Sequence, residues 1–477
     1  MAQLFGLPNE VINHILGLIP RSDYTKLCLV NKSLRYYAEP FLYSTISLRW
    51  DYCHVPPIVS LLHTLLQRPE LFSYIDSVSL HGSAFEAWPP APVDTTRMQR
   101  DQFSAAINKF QVSYVGQWVD KLRIGFTSMD ALAGLLIANL ANTTFLAITY
   151  NFIDELDITA QVLRSKILGQ LPKFRQLSRL IYHRQMDEIL FEYEQVSPLA
   201  MSLFYIPTVT DLLITVPNPA VFQWPAGEPC LDHLTSLEVE WVYPRCLAEI
   251  LARTRNLKSF SWNWEYCSDP TEEPDSNLDY DQIIAALLPL KGTLERLQFR
   301  LHCDPVWDSP EISISGSLDG LRDFERLTYL DVPLISLTGL ALEPQPLECH
   351  IPHSVETLCL TGALLHHDDA VQWMLAWEGY WQEGWAWRLE AEDGLMAGHF
   401  WQKPIIDVLR ALAEKCPPRL PRLRRVIFIE DCDLSDSHMV SPMRQLDLEH
   451  EIEFEISSEG SWAQRYLPDS LENHDSG

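Results

Sequence analysis

Beyond residue 42 the chain repeats one hydrophobic pattern: apolar-x-x-apolar-x-apolar, its last two positions alternating as a half-buried strand does. Copies stand at Tyr43/Ile46/Leu48, Ile75/Val78/Leu80, Val119/Leu122/Ile124, Phe145/Ile148/Tyr150, Leu177/Leu180/Tyr182 and Val209/Leu212/Ile214. Others follow at Leu234/Leu237/Val239, Leu257/Phe260/Trp262, Leu294/Leu297/Phe299, Leu327/Leu330/Val332, Val355/Leu358/Leu360 and Leu423/Val426/Phe428. From Ile75 to Val355 successive copies begin 23 to 44 residues apart, which leaves room for a crossover between strands. Helical apolar spacing fills some of those crossovers, at 130–142, 244–253 and 279–288. Parallel strands joined in this way predict an α/β chain: a curved sheet with helices and loops on its outer side. Near the end, Ile452, Phe454 and Ile456 alternate with Glu449, Glu451, Glu453 and Glu455, predicting one amphipathic strand that closes the sheet edge.

The first fifty residues follow a different rule. Pro8-Asn9-Glu10 suits a helix start, and Val11, Ile12, Ile15, Leu16 and Ile19 then recur at helical spacing. Pro20-Arg21-Ser22-Asp23 breaks that helix and offers caps for a second, with Tyr24, Leu27 and Val30 on one side. A third is expected over 32–38, stopping before Pro40. The run Leu7-Pro8-x-Glu10, Ile15-Leu16-x-x-Ile19, Asp23, Leu27-x-Leu29-Val30-Asn31-Lys32 resembles an F-box without a gap. The sequence departs from the family pattern at Tyr24, Asn31 and Leu34, where an aliphatic residue, a cysteine and a tryptophan are usual. The resemblance implies a three-helix domain that docks on a Skp-type adaptor and, through it, on a cullin in an SCF ubiquitin ligase. The adaptor-binding residues it implies are Leu7, Pro8, Glu10, Ile15, Leu16, Leu27, Val30 and Leu34. A plain three-helix cap on the following core is the simpler alternative.

The repeating remainder resembles degenerate leucine-rich repeats, in the manner of fungal-type F-box substrate receptors. Its steps are near or above the upper end of that repeat's usual length. The expected organisation is therefore an F-box domain at 1–42, an irregular leucine-rich-repeat solenoid at 43–456, and an acidic, disordered tail at 457–477. Between Val355 and Leu423 the step grows to 68 residues, and about 361–405 reads as a Trp-rich insertion. Trp373, Trp377, Trp381 and Trp385 recur every four residues, forming a helical stripe that either packs on the core or anchors a partner.

Charge adds a division of labour. The 477 residues carry 36 Lys+Arg and 64 Asp+Glu, a net of −28. Residues 1–50 hold five bases and three acids, so the head is +2 and the body −30. Such acidity argues against nucleic acid and membrane surfaces as partners. An acidic adaptor, as the resemblance implies, suits the basic head. The longest apolar run, 131–141, falls short of the roughly 20 residues a membrane span requires. Ten cysteines without a C-x-x-C pair, and an opening stretch unlike a secretory leader, point to the cytosol or nucleus.

No reactive constellation emerges. Only 19 glycines are present, where an average of about 7% would give roughly 33, and no phosphate-cradling loop is seen. His366-His367-Asp368-Asp369 is a helix start rather than a metal site, and Cys349 with His353 lacks a second ligand pair. The acidic stretch at 268–282 reads as a surface loop. Outward strand positions carry the candidate substrate-binding residues instead: Glu238 and Glu240 on one strand, Arg296 and Arg300 two strands away, then Tyr329, with Trp377 and Trp381 from the insertion. A solvated face of paired charges is the alternative. The expectation is a non-catalytic substrate-recognition subunit of an SCF-type ligase that needs no cofactor and no metal. A scaffold that binds the adaptor without ubiquitination is the alternative.

Overall fold

The computed structural model describes residues 7–51, 53–82, 92–122, 127–149, 152, 158–183, 198–216, 222–225, 227–266, 277–303, 313–339, 346–362, 402–430, 439–450 and 452–458. They divide into two units, Met1–Pro217 with Gln223–Leu234, and Asn218–Phe222 with Thr235–Gly477. The first unit opens with three helices, α1 (Asn9–Gly17), α2 (Arg21–Val30) and α3 (Lys32–Ser44). Pro8 and Pro20 stand just before α1 and α2, where a missing backbone N–H does no harm. Ser22 and Asp23 make no cap; they sit within the first turn of α2. The third helix differs from expectation by continuing through Pro40 to Ser44. Ala38 is fully buried and Phe41 stacks on Tyr24 at 5.5 Å, so packing on either side of the proline outweighs one lost backbone bond.

The chain then alternates strands and helices: β1 (Thr45–Trp50), α4 (Ile58–Gln67), β2 (Ser77–Gly82), α5 (Arg97–Ile107), α6 (Val115–Asp120), α7 (Met129–Asn139) and β3 (Phe145–Thr149). It continues with α8 (Ile158–Ile167), β4 (Arg179–His183), α9 (Pro198–Leu203) and β5 (Asp211–Thr215). The strands pair in parallel in chain order, which stacks Ile46, Val78, Leu146, Leu180 and Leu212 in one buried row. Leu48, Leu80, Ile148, Tyr182 and Ile214 form the next.

Two of the expected strand patterns needed correction. Val119 lies in α6, where Trp118 is fully buried and donates from Nε1 to the Ala131 carbonyl at 2.9 Å; a helical anchor wins over a strand there. In β3 the core pair is Leu146 and Ile148, while Phe145 stands beside Ser77 and Arg179 on the opposite face.

The second unit holds β6 (Ser236–Glu240), α10 (Pro244–Leu251), β7 (Ser259–Tyr266), β8 (Asn277–Asp279), α11 (Tyr280–Leu287), β9 (Arg296–Cys303) and β10 (Ser313–Ser315). Next come β11 (Tyr329–Pro333), α12 (Leu334–Thr338), β12 (Thr357–Thr361), α13 (Gln402–Arg419), β13 (Arg425–Glu430), α14 (Val440–Glu449) and β14 (Glu453–Ser458). Strands β6, β7, β9, β11, β12, β13 and β14 pair in parallel in that order. Leu237, Phe260, Leu297, Leu330, Leu358, Val426 and Phe454 make its first buried row. The final strand is shorter than expected, because Glu449 still belongs to α14 and pairing begins at Glu453. The acidic loop expected at 268–282 also ends early: Asn277–Asp279 pairs with Ser313–Ser315, and the Asp279 carboxylate caps α11 by accepting from the Asp281 and Gln282 amides at 3.0 and 3.2 Å.

Helix α7 is apolar around its whole circumference and lies wholly inside the first unit, so polar groups are required at its ends. Asp130, buried in its first turn, accepts from the Ile158 and Thr159 amides at 2.8 and 2.7 Å and so caps α8. In return Lys166 of α8, itself buried, donates to the Ala138 and Leu140 carbonyls at the C-terminal end of α7, at 3.2 and 2.6 Å, and to the Pro172 carbonyl at 2.7 Å. Each helix closes one terminus of the other, with the charge sign that the helix dipole favours. We expect Asp130→Ala to lower unfolding stability by about 2–4 kcal/mol in urea titrations, since it orphans two buried amides and removes the ion pair with Lys121.

Candidate functional site: an apolar stripe on the N-terminal helices

The three N-terminal helices have a small interior. Ile12 and Leu16 of α1, Tyr24 of α2, and Leu34 and Ala38 of α3 are buried. The Tyr24 hydroxyl donates to the Leu16 carbonyl at 2.9 Å, and Tyr37 of α3 donates to Asn9 Oδ1 at 2.9 Å. Asn31 sits between α2 and α3, and its side-chain oxygen accepts from the Leu34 amide at 2.8 Å as an N-cap. Two of the departures from the family pattern, Tyr24 and Asn31, therefore have identifiable structural roles. Leu34, the third, fills the interior.

Glu39 turns this small bundle toward the rest of its unit. It accepts from Arg68 Nη2 at 2.7 Å and from Arg35 at 3.3 Å, and the Arg68 hydrogen bond holds its carboxyl below the usual range. Arg21 donates to the Thr45 carbonyl at the start of β1. Arg21, Lys26, Lys32 and Arg35 lie on the exposed surface of the head, Lys26 paired with Asp23 and Arg35 with Glu39.

Opposite the interior, apolar side chains face solvent. Val11 and Ile15 of α1 and Leu18 at its C-cap recur at i, i+4 and i+7, preceded by Leu7, and Leu29 and Val30 end α2. Leu18 is 74% exposed, Leu29 82% and Val30 54%. Thirteen large apolar side chains are exposed among the described residues, and seven of them, counting Tyr36, fall within residues 7–36. Scattered apolar residues are normal on any surface, but a concentration of this kind marks a docking face.

The structure separates the sequence-predicted adaptor residues into two groups. Leu7, Pro8, Glu10, Ile15 and Val30 are exposed, and Leu27 is half-buried. Leu16 and Leu34 are buried within the bundle, so they build the surface rather than belong to it. Sequence reasoning missed Val11, Leu18 and Leu29 as surface candidates. Their signal was present in the helical phase, since Leu18 follows Val11 by seven residues on the face away from Ile12 and Leu16.

Residues 4–39 match the F-box domain. The chain thus carries an F-box, and its exposed stripe lies within the matched residues. F-box domains in general bind Skp-type adaptors, and proteins that carry them generally act as non-catalytic substrate receptors. No curated protein matches the chain.

The candidate substrate residues lie on the polar face of the second unit's sheet. Glu238 accepts from Asn263 Nδ2 at 2.7 Å, and Glu240 beside it is buried. Arg296 lies over the Tyr329 ring at 4.0 Å. Arg300 is not an open cationic stripe: it is 5% exposed and donates to Asp331 Oδ2 at 3.4 Å, which also accepts from Gln298 at 2.7 Å. Burial, followed by Asp331, raises the Tyr329 hydroxyl pKa, so the phenol stays protonated. Glu240 and Arg300 thus depart from the expected outward charges: Glu240 is buried, and Arg300 is buried and paired with Asp331. Trp377 and Trp381 lie outside the described residues, as do residues 366–369 and 459–477. Cys349 and His353 both contact Arg419, through Arg419 Nη1 at 2.9 Å and its carbonyl at 2.6 Å. Among the described residues no group of three or more His, Cys, Asp or Glu is placed to hold a metal ion.

The split between neighbours on α1 is measurable. Leu16→Ala should cost about 2–5 kcal/mol of stability by opening a cavity, whereas Leu18→Ala should stay within about 0.5 kcal/mol of the parent chain. Chemical unfolding of both variants checks it.

Proposed function

We propose that this chain is the substrate-recognition subunit of an SCF-type ubiquitin ligase. The F-box docks on a Skp-type adaptor and, through it, on a cullin, while the body holds a protein substrate. The observation that carries the reading is the solvent-exposed stripe of Leu7, Val11, Ile15, Leu18, Leu29 and Val30, lying within the residues that match the F-box. An apolar stripe with bases around it suits an acidic partner whose docking face is apolar.

In this reading the body is a degenerate leucine-rich-repeat solenoid. The in-register parallel strands, most of them repeating the same apolar spacing, support it. Catalysis belongs to the assembled ligase. The chain raises the effective concentration of substrate near the charged conjugating enzyme and contributes no reactive group of its own. The place of work is the cytosol or the nucleus.

Co-purification from cells of wild-type chain and a Leu7→Asp, Pro8→Ala variant tests the assignment. Adaptor and cullin should accompany the wild type and be lost from the variant. Adaptor without cullin identifies a non-ligase scaffold, and adaptor bound equally by both chains overturns the docking face.

A further inference from the structure

Among the described strands, three arginines occupy the same position, the first on the polar face, and two of them meet an acid on the next strand. Arg179 of β4 pairs with Asp211 of β5 at 3.3 Å, and Arg425 of β13 with Glu453 of β14 at 3.6 Å. Arg296 of β9 stands opposite Tyr329 of β11 instead. Its guanidinium lies 4.0 Å from the ring centroid, is exposed, and has no carboxylate partner among the described residues. The Tyr329 hydroxyl donates to Asp331 Oδ2 at 3.5 Å and accepts from Cys359 Sγ at 3.3 Å, so the ring beneath Arg296 is anchored in the sheet. Lys258, one residue before Ser259, is already paired with Glu295 at 3.2 Å. Arg296 is therefore a positioned cation for which the sheet supplies a platform and no counter-charge.

The row around it is open to solvent. Ser259 of β7 stands beside Arg296 in register, Ser236 beyond it on β6, and Thr357 beyond Tyr329 on β12. Each of these side chains is half-exposed, and the three hydroxyls make no hydrogen bond among the described residues. Neighbouring strands are about 4.8 Å apart, so a planar fork of N–H donors, steadied by an aromatic ring, has a free hydroxyl next to it. A carboxylate matches that donor set: it accepts two parallel bonds from a guanidinium and has lone pairs left for a hydroxyl. A doubly charged phosphate is less suited, because Glu238 lies on the same face and the chain carries a net −28. The row also continues past Arg296 on both sides, which suits an acidic residue within an extended segment better than a chain end.

We propose that Arg296, held over Tyr329 and flanked by Ser259, receives the side-chain carboxylate of an aspartate or glutamate on the protein substrate, an inference that rests on the substrate-receptor reading above.

Selection of randomised dodecapeptides against the full-length chain tests the site. Peptides carrying Asp or Glu at one enriched position should emerge, and replacing that residue by Asn or Gln should weaken binding by about tenfold or more. Arg296→Gln should weaken the same peptides by a similar factor. Arg296→Lys should recover only part of the loss, because an ammonium keeps the charge without the fork. Both variants should melt at the temperature of the parent chain, since Arg296 is exposed and makes no ion pair. A marked fall in melting temperature for both would show that Arg296 serves the fold and would overturn the site. Selected peptides without an acidic preference, or bound equally by Arg296→Gln, would overturn it as well. So would peptides that lose binding on C-terminal amidation, or that bind more tightly with phosphoserine in place of the acidic residue. The same selection run on the Leu7→Asp, Pro8→Ala variant keeps the two readings apart. An intact acidic preference there leaves the site standing whatever the adaptor does, and its loss would assign the preference to the head and overturn the site.

Discussion

Parallel pairing in a single register is the constraint on which both units rest. Side chains alternate with a period of two along a strand, so sliding any strand by one residue would turn its apolar set to the other face. Val78 pairs with Leu146 and Leu358 with Val426 because only that register keeps the buried rows continuous. The opposite face then receives whatever lies between the apolar positions. That is how Ser79, His81 and Thr149 come to share one surface, and how Arg300 comes within reach of Asp331. The core dictates the placement of both polar clusters without contributing an atom to them.

The N-terminal helices solve a different problem with the same economy of positions. Ile15 and Leu16 are neighbours in sequence, yet about 100° of helix rotation sends one to solvent and the other into the bundle. Tyr24 and Asn31 then secure the bundle through a buried hydroxyl bond and a helix cap. With its interior closed in this way, the outer apolar stripe is dispensable for folding. An exposed stripe that the fold does not require can be devoted to a partner, at the price of solubility when unoccupied.

Much of this was legible in the repeating pattern. Eleven of the twelve apolar-x-x-apolar-x-apolar copies coincide with strands, because alternation and β-branched residues act locally. The failures were tertiary. Val119 reads as strand-forming in isolation, but Trp118 anchors its segment as a helix through the Ala131 carbonyl. Pro40 reads as a stop, but packing by Ala38 and Phe41 carries the helix past it. At the head, motif resemblance pointed to the correct segment without distinguishing Leu16 and Leu34, which build the bundle, from Leu18 and Leu29, which face outward. Phase along a helix is readable from sequence; which phase faces inward depends on the neighbouring helix.

The electrostatics of the body show why charge read along a chain can mislead about a surface. Arg296, Arg300, Glu238 and Glu240 look like opposing stripes when counted by strand. In space Arg300 is joined to Asp331, which also accepts from Gln298, Glu238 accepts from Asn263, and Arg296 lies on the Tyr329 ring. Burying Arg300 beside Asp331 exchanges two long-range charges for a local dipole, and a dipole discriminates by geometry rather than by sign. The net charge of −28 acts at longer range than these local pairs, within about a Debye length of the surface.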